Sequence, residues 1–186
     1  GLTRELVSGC VRWRRLLDWL IARATNRREQ NPIVQEILRL GLYQIFFLNR
    51  IPEHAIVDES VRLAKTWRCY AQSAFINAIM HRFLRERMKL NRDISQLQEE
   101  RPALGQSHPD WLFDVWQDRW GREKTVRLME WNNQPPPTYV RVNRLLTEPQ
   151  RLVRRWEDEG VDCTPINYEW AETNSLFRLR RHPPIE

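Results

Sequence analysis

The run "IVQEILRLGLYQIFFLNR", residues 33 to 50, is apolar nearly all the way round a helix. Ile33, Ile37, Leu40, Ile45 and Leu48 are only some of its apolar positions. A helix that is hydrophobic on every side must be surrounded by other elements. The run therefore predicts the centre of a helical bundle. Its start is marked by Asn31, a good N-cap, and Pro32, suited to the first helical position. The preceding "NRREQNP" breaks any helix before it. Gly41 in the middle costs about 1 kcal/mol relative to Ala, which predicts a close helix crossing.

Amphipathic segments flank this centre. Over residues 3–25, Leu6, Cys10, Trp13, Leu17, Leu20 and Ala24 recur every three or four positions and fall on one helical face. Arg4, Arg12, Arg15 and Arg23 fall on the far side, with Trp19 among them. A basic stripe carrying an aromatic suits a phosphate backbone and a stacked base. The same stripe also reads as a solvated face with Trp19 packed on a neighbouring helix. "IPEHAIVDESVRLAKTW" predicts a turn and a third helix, with Ala55, Val57, Val61 and Ala64 inward and Lys65 near the end. His54 at its start reads as a local hydrogen-bonder. "AQSAFINAIMHRFLRERMKL" predicts a fourth, with Phe75, Ile79, Met80 and Phe83 inward. Arg82, Arg85 and Lys89 line one of its outer faces and either add to a basic surface or complement the helix C-terminus.

Residues 91–107, "NRDISQLQEERPALGQS", are polar and contain Pro and Gly; they predict a linker. Residues 1–90 then form one helical domain. From 108 to 186 the pattern is mixed. "HPDWLFDVWQDRWG" predicts a helix with Leu112, Val115 and Trp116 inward, closed by Gly121, and "REKTVRLMEWNNQ" another. The three prolines in "NNQPPPTYVRVN" stop that helix, since each lacks an N–H and fixes φ. "TYVRVN", "VDCTPINYEW" and "SLFRLRR" predict strands, and "TEPQRLVRRWEDEG" a helix, giving a small β-α-β-β subdomain. By alternation Arg141 and Asn143 share a face of the first strand.

Charge separates the two halves. Residues 1–90 hold 16 Lys and Arg against 8 Asp and Glu, and residues 91–186 hold 14 against 16. The basic excess belongs to the first half, which suggests a module facing a polyanion. Cys10, Cys69 and Cys163 are far apart and odd in number, arguing against a disulfide framework or zinc site and for a reducing, cytoplasmic setting. Each reads as a small buried hydrophobe. The six glycines form no G-x-G, and P-loop, G-x-S-x-G and H-E-x-x-H motifs are missing. No catalytic constellation emerges. No membrane span or signal peptide is visible, and no metal is expected.

Two stretches carry a resemblance. "EILRLGLYQIFFLNRIPEHAIVDESVRLAK" followed by "FINAIMHRFLR" resembles the NusB-type RNA-binding domain. "SHPDWLFDVWQDRWG" and "NNQPPPTYVRVN" are similar to the region after that domain in the Sun/Fmu (RsmB-type) ribosomal RNA cytosine-5 methyltransferases. The resemblance implies a mainly α chain: a NusB-like helical bundle, then a small α+β subdomain. It implies an RNA-binding, substrate-positioning role with ribosomal RNA as partner. Candidate contacts are Arg4, Arg12, Arg15, Trp19, Arg23, Lys65, Arg82, Arg85, Lys89, Arg141 and Asn143. In the family a further domain carries the S-adenosylmethionine site and the nucleophilic cysteine. The chain stops at "RRHPPIE" before such motifs, so it reads as a fragment that binds no cofactor and is not itself an enzyme. The missing catalytic domain would be its second partner. The alternative is a NusB-like protein-interaction module of the antitermination type, whose nine tryptophans would furnish an apolar surface.

Overall fold

The computed structural model describes residues 1–134, 136–166 and 175–179. Two compact units emerge, Gly1–Asn133 and Gln134–Glu186. The first is helical: α1 (Leu2–Arg12), α2 (Arg14–Ala24), α3 (Pro32–Phe47), α4 (Glu53–Thr66), α5 (Ser73–Arg85), α6 (Arg87–Glu100), α7 (Pro102–Gly105), α8 (Asp110–Trp120) and α9 (Arg122–Asn133). Among the described residues the second holds a three-stranded sheet and one helix. The chain is thus a helical bundle followed by a small α+β subdomain, as the pattern and the resemblance imply.

α3 is the centre of the bundle. Val34, Ile37, Leu38, Leu42, Tyr43 and Ile45 are all buried in one core with residues of α2, α4, α5 and α6. Asn31 caps it, its side-chain oxygen accepting from the Ile33 N–H at 2.9 Å, and Pro32 occupies the first turn. Gly41 does mark a close crossing: a Cβ there would lie 2.6 Å from Met80 Sδ of α5 and 3.1 Å from Ser60 Oγ of α4. Gly9 does the same for α1, where a Cβ would fall inside the Tyr43 ring. Arg39, only 7% exposed, is held by α2: Nε and Nη2 donate to Asp18 Oδ1 and Oδ2 at 2.7 and 2.8 Å, and Nη1 to Glu36. A buried guanidinium is tolerable only when paired in this way.

The single helix expected over 3–25 is interrupted at Trp13, whose backbone sits at φ −97°, ψ 12°. Its ring stacks on Phe47 with centroids 4.5 Å apart. Leu17, Leu20 and Ile21 face the core, with Leu6, Cys10, Trp13 and Ala24 packed at its edge.

The expected linker is a correction. Residues 91–107 are mostly helix, α6 and the single turn α7. Leu97 and Leu104 are buried and form a second cluster with Leu16 of α2, joined by Trp13, Trp19, Phe47 and Ile94. Leu90, Ile94 and Leu97 stand on one thin seam of α6 at helical spacing, hidden among polar residues, and Leu104 joins from α7. α7 lies so close to α6 that a Cβ on Gly105 would sit 2.6 Å from Gln98 Cα. Compactness therefore runs to Asn133 and not to residue 90. Its last part is the α8–α9 hairpin, where Phe113 and Met129 bury against Ala103, with Trp116 and Val126 alongside. Val115, expected inward, is exposed. Phe113 takes the buried place because α8 rests on α7 and α9 together.

The second unit orders its strands β1 (Thr138–Arg141), β3 (Leu176–Leu179), β2 (Cys163–Ile166), both pairs antiparallel. α10 (Pro149–Asp158) lies between β1 and β2 in sequence. Trp156 of α10 packs edge-on to Phe177 at 5.5 Å. The chain order is therefore β-α-β-β. The "NYEW" end of the second expected strand and the "RR" end of the third lie outside the described residues.

Leu97→Ala tests the correction. A buried Leu→Ala costs about 2–5 kcal/mol, whereas a linker substitution stays within about 0.5 kcal/mol. Urea unfolding of the chain should show the larger loss.

Candidate nucleic-acid interface

The bundle decides which arginines reach solvent. The stripe on α1 and α2 is partly taken up in contacts within the protein, although Arg4 and Arg23 remain exposed. Trp19 packs against both clusters of the first unit, so its neighbouring-helix alternative describes the observed contact. Arg23 stacks over the Trp19 ring at 4.7 Å and pairs with Asp93 of α6 at 3.1 Å. Arg15 donates to the His108 carbonyl and to Asp110, while Ser107 Oγ accepts from the Arg15 N–H at 3.0 Å and the Leu16 N–H at 3.4 Å. These bonds clamp the start of α2 to the turn before α8. A further bond pair closes that turn, Asn133 Nδ2 donating to the Gln106 carbonyl at 2.9 Å and Oε1 at 3.1 Å. Arg12 is half-buried beside Tyr43, and Arg4 stands exposed on α1.

The basic residues of α4, α5 and α6 fare differently. Lys65, Arg82, Arg85 and Lys89 are all exposed. Arg82 donates to Glu86 at 3.0 Å and to the Ala24 carbonyl at 3.2 Å. That second bond brings the end of α5 to the end of α2. The loop leaving α2 carries Arg27 and Arg28, both exposed, with Asn26 and Arg27 at positive φ. Arg85, Lys89, Arg27 and Arg28 have no carboxylate at ion-pair distance among the described residues. The loop arginines border an open cleft of about 620 Å³, also lined by Arg14, Asp18, Glu36 and Arg39. Sequence reasoning missed Arg27 and Arg28. The pair stood in "NRREQNP", read there only as a helix breaker.

In the second unit Arg141 is exposed on β1. Tyr139, two positions earlier on the same face, is exposed opposite Arg178 of β3. Asn143 does not share that strand face. β1 ends at Arg141, and Asn143 closes a turn instead: its Oδ1 accepts from the Leu145 N–H at 3.1 Å. A short Asn side chain that bonds the backbone two residues on is a common turn device.

Two of the three cysteines are held as thiols by their surroundings. All three are free. Burial, with Glu36 adding, pushes the Cys10 thiol up to about 11, and burial with Asp162 and Glu157 raises Cys163. Both stay protonated at neutral pH. S-adenosylmethionine does not fit this chain's residues either. Gly9, Gly41 and Gly105 fill helix contacts, and Gly121 follows the C-terminus of α8. Gly160 follows α10, and no glycine-rich strand-to-helix turn remains to cradle it. Among the described residues no His, Cys, Asp and Glu cluster suits a metal, and no helix is long and apolar enough to cross a membrane.

Comparison with known proteins divides the chain in the same order. Residues 1–85 match the NusB family, and residues 108–171 match the ferredoxin-like domain of RsmF/B-like methyltransferases. The chain carries these two domains in tandem. Residues 91–107, although helical, lie outside both matches. The probable ribosomal RNA small subunit methyltransferase B of Synechocystis sp. is 36% identical over 87% of this chain. That of Bacillus subtilis is 30% identical over 87%. The ribosomal RNA small subunit methyltransferase B of Pseudomonas putida is 34% identical over 90%. The chain spans about 36% of the length of the first two relatives and 38% of the third.

The Arg15 clamp has a pH signature. Its hydrogen bond holds the Asp110 carboxyl below the usual carboxylate range. A depressed carboxyl stabilises the fold above its unfolded value, about 3.9, and loses that contribution as pH falls through the lower folded value. Asp110→Asn should therefore melt below the parent at pH 7 and alongside it near pH 2. Calorimetry across that range checks it.

Proposed function

We propose that this chain is the RNA-binding, substrate-positioning N-terminal portion of an S-adenosylmethionine-dependent methyltransferase acting on cytosine-5 of small-subunit ribosomal RNA. The observation that carries this reading is the order of the two domain matches, joined with a basic face on the first. A NusB-family domain alone leaves other RNA-binding proteins open, whereas the methyltransferase-type ferredoxin-like domain after it narrows the choice. On this reading the chain's part is to hold the RNA, and no step of methyl transfer is assigned to its residues.

The RNA surface is assigned to Lys65, Arg82, Arg85 and Lys89, with Arg27 and Arg28 beside them. Support comes from their exposure and from the Arg82 bond that joins α5 to the end of α2. Arg4 and Arg12 are assigned a peripheral part, and Arg141 a separate contact on the sheet. Arg15, Trp19 and Arg23 are assigned to holding the bundle together, and Asn143 to its turn. Recognition on such a face follows backbone and shape, as is usual for structured RNA.

The test is binding of a small-subunit ribosomal RNA fragment at several salt concentrations. Each phosphate contact adds about 0.7–0.9 to the log–log slope, so affinity should fall steeply as salt rises. Arg85→Glu with Lys89→Glu should weaken binding and flatten the slope by about two, while the melting temperature holds. Arg15→Glu should do the reverse, lowering the melting temperature first. Binding indifferent to salt would instead favour a protein-interaction module.

A further inference from the structure

From Ser60 to Arg85 the chain has five Lys or Arg residues and no Asp or Glu. Within this stretch the turn between α4 and α5 is built rigidly. The Trp67 N–H donates to the Leu63 carbonyl at 3.0 Å, the Arg68 N–H to Lys65 at 3.1 Å, and the Cys69 N–H to Ala64 at 2.8 Å. Arg68 takes a positive φ of 58°, and Cys69 tucks into the core at 7% exposure. A single 3₁₀ turn, Tyr70–Gln72, leads into α5.

This held turn leaves two aromatic rings in solvent. Trp67 is 61% exposed and Tyr70 66%. A core would have taken them, since each ring buries a large apolar area. Neither ring stacks on another aromatic or carries a cation among the described residues. Lys65 precedes them and Arg68 stands between them in the chain, both exposed and without a carboxylate at ion-pair distance among the described residues. Beyond Tyr70 the outer face of α5 continues with Ala74, Asn77, Ala78 and His81 to Arg85, all exposed. Small residues on that face let a backbone approach closely, and the cations lie at both ends.

We infer that Trp67 and Tyr70 form a stacking platform for unpaired bases, and that the outer face of α5 carries the adjoining phosphates toward Arg85. The ligand is single-stranded RNA, or a loop or bulge in a folded RNA. The inference rests on the RNA-binding reading and names its specific contact. Charge complementarity favours this ligand over an apolar protein face: a protein groove would bury Lys65 and Arg68 unpaired, at a desolvation cost, while phosphates satisfy both. Aromatic rings held rigidly beside cations are the arrangement that binds single strands without reading sequence.

The test compares a 12-nucleotide single-stranded RNA with a blunt RNA duplex, titrated against the whole chain. Trp67→Ala with Tyr70→Ala should weaken single-strand binding by about tenfold or more. Duplex binding, the salt slope and the melting temperature should stay near those of the parent, because the rings neutralise no phosphate and are solvent-exposed. Trp67→Phe with Tyr70→Phe should restore most of the affinity, because both rings remain. Lys65→Ala should instead lower the salt slope by about one. Parent-like single-strand affinity in the double alanine variant would overturn the platform while leaving the RNA-binding reading intact. Loss of self-association with RNA affinity unchanged would overturn it in favour of a protein contact. Failure of the parent to bind either RNA would remove the broader reading and the platform together.

Discussion

Burial of α2 on two sides is the constraint on which the rest of the first unit depends. A surface helix normally presents one apolar stripe and leaves the other face to water. Here Leu17, Leu20 and Ile21 enter the main core, while Leu16 and Trp19 enter a second cluster made by α6 and α7. A helix covered twice cannot also offer a long polar stripe. Its arginines become internal ties: Arg15 to the turn at 107–110, Arg23 to α6. Exposed positive charge free of such ties stands on the α2–α3 loop and on α4, α5 and α6, with Arg4 on α1.

Much of this was legible from residue pattern. α3 declared itself through its apolar circumference, its Asn31 cap and Pro32. The Gly41 crossing followed from the cost of a mid-helix glycine. The β-α-β-β order followed from alternation, Gly160 and the prolines. What was not legible depended on partners. Leu90, Ile94, Leu97 and Leu104 show one apolar residue per turn or fewer, a seam too thin to stand out among Asn, Arg, Gln and Glu. Once that seam is hidden, Leu16 lacks a partner and the arginines beside it look free. The same omission made residues 91–107 read as a linker and hid the ties of Arg15 and Arg23.

Asn143 leaves the strand face shared with Arg141 for a local reason. Alternation holds only while the strand lasts, and β1 ends two residues earlier. Its carboxamide then serves the turn. Arg27 and Arg28 were overlooked because a helix break reads as punctuation. In the fold that break is brought beside α5 by the bond from Arg82 to the Ala24 carbonyl. A contact spanning 58 positions leaves no local trace in the chain.

The proposed RNA surface lies on the α4–α5–α6 side and not along α1 and α2. Photo-crosslinking of a thiouridine-substituted ribosomal RNA fragment, with peptide mapping by mass spectrometry, tests it most directly. The account predicts crosslinks within residues 62–92 and the loop at 26–30. Crosslinks concentrated on residues 12–23, with the 62–92 region bare, would contradict it.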